Sequence, residues 1–123
     1  MNIKEIKKLK KLCENKGIKI SLAESCTGGL ISSSLTSIAG SSNFFDSGIV
    51  SYSNKAKIEL LGVDKKLISK YGAVSEEVAL SMSKNLYRIT KSNICVSVTG
   101  IAGPTGGTKQ KPVGTVYFSI CHD

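Results

Sequence analysis

In 123 residues the chain has no tryptophan, one histidine (His122), one arginine (Arg88) and two prolines. A Ser-His-Asp arrangement is all but excluded, because the single imidazole stands next to the last residue. A metal site lacks its ligands. The four cysteines (Cys13, Cys26, Cys95, Cys121) show no C-x-x-C spacing, and one histidine cannot complete a set. No apolar run approaches the roughly 20 residues of a membrane span. The N-terminal lysines are not followed by the apolar stretch of a secretory signal. The expectation is therefore a cytoplasmic chain with free thiols, Cys95 and Cys121 among them as small core residues.

The scarcity of arginine bears on the charge. Seventeen Lys and Arg against nine Asp and Glu give a net +8, which invites a nucleic-acid reading. Phosphate and base readout favours arginine forks, and no aromatic residues interleave with the lysines as a stacking platform would need. Lys4, Lys7, Lys8, Lys10 and Lys11 instead read as the solvated side of a helix. A nucleic-acid partner is not expected, although anionic small molecules would be drawn to this field.

What is present is regular alternation of helical and extended patterns. Ile3, Ile6, Leu9, Leu12 and Cys13 recur at helical spacing, and Gly17 follows as a stop. Ile18 to Ala23 reads as a strand, and Leu30, Ile31, Leu35 and Ile38 as a helix. Gly48 to Ser53 reads as a strand, with Asn54 capping a helix that ends at Gly62. Asp64 caps a short helix ending near Gly72, and Ser75 with Glu76 and Glu77 starts another. Asn93 to Thr99 and Val113 to Cys121 read as strands, the last apolar enough to be buried on both faces. The order predicts one α/β domain over residues 1–123, a three-layer α/β/α sandwich with a mixed, mainly parallel sheet. The final strand pair is expected to be antiparallel, because its connection is too short for a helical crossover.

Sites in open α/β sheets lie beyond the carboxyl ends of the parallel strands. Two such ends are glycine-rich here, at Ser25-Cys26-Thr27-Gly28-Gly29 and at Thr99 to Gly107. One such loop is often only a tight turn; two at matching positions favour a shared anion or oxyanion site, the first at a helix N-terminus. Neither matches the phosphate-loop or dinucleotide pattern. Among hydroxyls, Ser25, Ser41, Ser42 and Thr99 stand at element ends, where each also serves as a cap or turn former. The scarce component is a base. With Asn54 as cap, Lys57 falls at the third helical position, where the dipole and Lys55 both disfavour an ammonium, and burial would disfavour it further. A surface lysine and a general base are both compatible with that pattern, as a core tyrosine and a proton relay are for Tyr52.

Ala23-Glu24-Ser25-Cys26-Thr27-Gly28-Gly29, Ala39-Gly40-Ser41-Ser42 and Tyr52-Ser53-Asn54-Lys55-Ala56-Lys57 resemble the CinA C-terminal domain family. Leu61-Gly62-Val63, Gly72 to Glu76, Thr99 to Pro104 and Lys111 to Val116 continue the resemblance in order. It implies a cofactor-free hydrolase of the nicotinamide-nucleotide amidase type, releasing ammonia from nicotinamide mononucleotide to leave nicotinate mononucleotide. It further implies Ser42 as nucleophile, Lys57 as base, Tyr52 as helper and Ser25 in the oxyanion hole. On the sequence alone Ser25 and Ser42 are interchangeable in those roles. Cys26, Thr27, Gly28, Gly29, Thr99, Gly100, Gly103, Gly106 and Gly107 would then bind the nucleotide substrate, with no metal. Family members usually continue with another strand and a long helix bearing a Gly-Asp-Arg-type segment, which this sequence does not contain. The alternative is accordingly a nucleotide-binding module without turnover, or a truncated copy of the enzyme. Self-association is left open, and a role in DNA uptake has only the lysine charge behind it.

Overall fold

The computed structural model describes residues 2–123. Helix α1 (Ile3–Lys16) is capped by Asn2, whose side chain accepts from the Lys4 N–H, and is closed by Gly17 in the left-handed region. It turns Ile6 and Cys13 inward and leaves Lys4, Lys7, Lys8 and Lys11 exposed. Strand β1 (Ile20–Glu24) follows and is buried along its whole length. It is central: β2 (Phe45–Val50) and β3 (Ile94–Gly100) flank it in parallel, and β4 (Val116–His122) runs antiparallel along β3. The remaining helices are α2 (Leu30–Leu35), a 3-10 turn at Ser41–Asn43, α3 (Asn54–Leu61), α4 (Lys65–Tyr71) and α5 (Glu76–Thr90).

Alternation along the strands sorts side chains between two cores, one on each face of the sheet. Ile20 and Leu22 face one layer with Ile6, Cys13, Leu35, Ile38 and Phe44. Ala23 and Cys95 face the other with Leu61, Val63, Val78, Met82 and Leu86. The chain is therefore the mixed, mainly parallel α/β/α sandwich that the element order implied.

Several element boundaries differ from the sequence reading, and three differences bear on the site and the sheet edge. Strand β2 starts at Phe45 rather than Gly48, because Phe44 is fully buried and its carbonyl accepts from the Ile20 N–H at 2.8 Å. Ser53, not Asn54, caps α3 by accepting from the Ala56 N–H. Lys57 is thus the fourth residue of that helix. Strand β4 begins at Val116 and is covered on one face only. Ser119 meets Ser83 of α5 at 2.9 Å and Cys121 packs against the second core, whereas Phe118 is 70% exposed, with Val116 and Ile120 more than half exposed. The layer of α1 and α2 packs over Ile20, Leu22, Ile94 and Val96, and among the described residues nothing reaches β4 on that side.

Candidate active site

The carboxyl end of β1 sends consecutive residues to opposite sides of the sheet. Leu22 lies in the first core and Ala23 in the second, so Glu24 is directed toward α2 and Ser25, just past the strand, toward α3. The Ser25 N–H donates to the Val98 carbonyl at 3.0 Å, which ties the turn to β3. The exit from β2 is tied beside it: the Ser51 N–H donates to the Glu24 carbonyl at 2.8 Å. The carbonyls of Ser51 and Tyr52 are thereby brought next to Ser25.

Lys57 enters this corner from α3. It shares the inward face of that helix with Leu61, one turn on, and is only 2% exposed. Its Nζ lies 2.8 Å from Ser25 Oγ, 3.0 Å from the Tyr52 carbonyl and 3.2 Å from the Ser51 carbonyl. Ser25 Oγ is itself 3.4 Å from the Tyr52 carbonyl. No carboxylate pairs with Lys57 among the described residues. Burial of the ammonium holds its pKa below the ordinary 10.5, opposed by the neighbouring Cys26 sulfur in its thiolate form. Burial, rather than the helix dipole, is what unsettles this charge. As an ammonium, Lys57 has three donors for three acceptors. As a neutral amine it keeps two N–H bonds to the carbonyls and turns its lone pair to the Ser25 hydroxyl.

On the opposite side of the strand end, Glu24 is fully buried and accepts four hydrogen bonds. Thr27 Oγ1 (2.6 Å) and the Ile31 N–H (2.9 Å) donate to Oε1; the Ser32 N–H (2.8 Å) and Oγ (2.6 Å) donate to Oε2. Burial pushes this carboxyl up, but the bonds from Ser32, Thr27 and Ile31 outweigh it and the net shift is downward. The sequence reading missed Glu24. The available signal was a carboxylate ending an otherwise uncharged strand, followed by hydroxyl residues three and eight positions on. Its placement also corrects the expectation that the N-terminus of α2 holds an anionic ligand, because Glu24 already takes those N–H groups.

Several expected participants lie elsewhere or act differently. Ser42 is exposed in the turn before β2, where its carbonyl accepts from Lys19 Nζ at 2.6 Å. The length of β2, about 20 Å for six residues, separates it from Lys57, so the structure does not bring this pair together. Tyr52 enters through its carbonyl, not its ring, and the side chain is 62% exposed. Thr99 is buried and its hydroxyl donates to the Ala73 carbonyl at 2.9 Å, holding the segment before α5.

The second glycine loop does reach the first. A Cβ on Gly100 would stand 2.9 Å from Cys26 Sγ and 2.9 Å from the Thr115 carbonyl, so only glycine permits this approach. Gly103 and Gly107 instead make room for Val113, and Gly106 only approaches Ile101. Cys26 is half-buried, and burial pushes its thiol up, away from the thiolate a nucleophile would need. Gly28 donates its N–H to the Ser25 carbonyl, while the N–H groups of Cys26, Thr27 and Gly29 reach no backbone carbonyl among the described residues. A concavity of about 600 Å³ lies apart from this corner, between Lys7, Lys10 and Lys11 of α1 and Ser37 to Ala39.

The sequence profile of the CinA C-terminal domain matches residues 3–123. The chain belongs to the CinA C-terminal domain family. A CinA-like protein of Kosmotoga olearia is 51% identical over 109 residues, 89% of this chain and 26% of its own length. A protein of Acetivibrio thermocellus, described as a putative competence-damage inducible protein, is 52% identical over 112 residues, 91% of this chain and 27% of its own. The crystal structure of the competence/damage inducible protein CihA of Agrobacterium tumefaciens superposes with a TM-score of 0.92 at 44% identity. That match covers 95% of this chain and 71% of the other. The chain thus spans about a quarter of the length of the curated relatives.

Proposed function

We propose that this family member hydrolyses the amide of nicotinamide mononucleotide, with Ser25 as nucleophile and Lys57 as general base. One observation carries the chemistry: a buried lysine without a carboxylate partner, 2.8 Å from a serine hydroxyl at the carboxyl end of the central strand. The substrate follows from the family resemblance, and the basic net charge suits a phosphate-bearing molecule.

In this reading neutral Lys57 takes the Ser25 proton as Oγ attacks the amide carbon. The oxyanion of the tetrahedral intermediate is met by the N–H groups of Cys26 and Thr27, each such donor being worth about 3 kcal/mol of barrier. Collapse breaks the C–N bond, and the proton on Lys57 leaves with ammonia. Water then attacks the acyl-serine ester, giving its proton to Lys57. Nicotinate mononucleotide departs and the Ser25 hydroxyl is restored. Lysine-activated serine is a recognised substitute for the histidine triad.

The test is ammonia release from nicotinamide mononucleotide by the purified chain, with Lys57→Gln beside it. Release is expected, and a loss of about 100-fold or more in the variant, the scale of a general base. A folded chain that releases no ammonia, or a variant that keeps the rate, would reject the proposal.

A further inference from the structure

The turn that presents Ser25 is short, exposed in part and built from Ser-Cys-Thr-Gly-Gly, a composition that does not fix a single backbone path. Gly28 and Gly29 both take positive φ, and α2 behind them has six residues, too few to define its own start. Something else must hold the strand end still. Glu24 is the one charged side chain in β1, fully buried, and all four of its acceptor bonds go to residues 27 to 32. Nothing in that set is a ligand site, since no donor is left over for an incoming group.

We infer that Glu24 is the positioning residue of the site: by gripping Thr27, Ile31 and Ser32 on one side of the strand end, it fixes the Ser25 hydroxyl on the other at bonding distance from Lys57. The inference rests on the Ser25–Lys57 reading and adds to it a residue that touches neither substrate nor base. The geometry is a lever. Residues 24 and 25 are consecutive and point to opposite faces, so rotation of the turn about the strand axis moves Ser25 Oγ directly. A displacement of about 1 Å at a reacting atom costs on the order of 100-fold in rate. Glutamine at 24 would keep the volume but turn an NH2 group onto an N–H or hydroxyl donor, whichever way it is set.

A fluorophosphonate probe reads this without knowledge of the substrate, because Ser25 Oγ attacks phosphorus and expels fluoride. The experiment follows labelling of the full chain by mass spectrometry, locates the modified residue, and separates the maximal rate from the half-saturating concentration. Melting temperatures are measured in parallel. For Glu24→Gln the maximal rate is expected to fall about tenfold or more with the half-saturating concentration unchanged; Thr27→Val, which removes one of the four bonds, should fall between. A purely structural role would lower the melting temperature and leave the maximal rate of the folded fraction intact, which overturns the inference. Wild-type rates in both variants also overturn it, while the Ser25–Lys57 reading stands. If Glu24→Gln does not fold, Thr27→Val decides alone: a reduced maximal rate supports the inference and an unchanged one overturns it. Absence of label on Ser25 in the folded wild type rejects the underlying reading and the inference together.

Discussion

Lys57 has a proton to spare only below its own pKa, and its surroundings decide where that lies. Two carbonyls and one hydroxyl surround the Nζ, with no carboxylate beside it among the described residues, and the lysine is almost wholly buried. Burial therefore lowers the pKa from 10.5. A base works when deprotonated, so ammonia release should rise with pH through this lowered value and level off below the ordinary lysine range. A pH–rate profile of kcat/KM checks the sign. A plateau reached only near the ordinary lysine value would mean the amine is not held as described. At this scale the sequence was partly legible. It marked Lys57 and Ser25 and counted burial among the effects that would lower the lysine pKa, but it could not tell a buried lysine from an exposed one. The partner was hidden because the pairing spans 32 positions and depends on which side of β1 each residue faces.

At the scale of elements, the site is a junction of three strand exits. The turn after β1 supplies Ser25, the exit of β2 supplies two carbonyls, and Gly100 at the end of β3 closes against Cys26. Gly100 is the tightest point of that closure. Gly100→Ala would bring a methyl group within 2.9 Å of both Cys26 Sγ and the Thr115 carbonyl, the latter unable to turn aside. A loss of about 1–3 kcal/mol, the usual cost of overpacking, is expected in urea unfolding, with reduced activity because the Ser25 turn is pushed. The helices were legible from their stripes and stops: Ser75 caps α5 and Asp64 caps α4 as their sequences suggested. The strand starts were not, since Phe44 and Phe45 read equally as loop or strand until the core they enter is known.

Across the whole molecule, the two faces of the sheet are unequal. One core holds Phe44, fully buried; the edge strand β4 displays Phe118 at 70% exposure. Truncating each to alanine should separate them. Phe44→Ala is expected to cost about 3–5 kcal/mol, and Phe118→Ala no more than about 0.5 kcal/mol, both measured by denaturant titration. Equal losses would mean that β4 is covered in solution. The sandwich and its mixed sheet followed from element order, and the antiparallel last pair from the short connection between its strands. The one-sided exposure of β4 did not, because an apolar strand reads the same whether one face or both are covered.

The serine that reacts is the point on which the functional account turns. Ser25→Ala and Ser42→Ala should be compared directly for ammonia release from nicotinamide mononucleotide. The expected result is loss of activity in Ser25→Ala and a rate within about twofold of wild type in Ser42→Ala, whose side chain is exposed at the far end of β2. An active Ser25→Ala variant, or an inactive but folded Ser42→Ala, would contradict it.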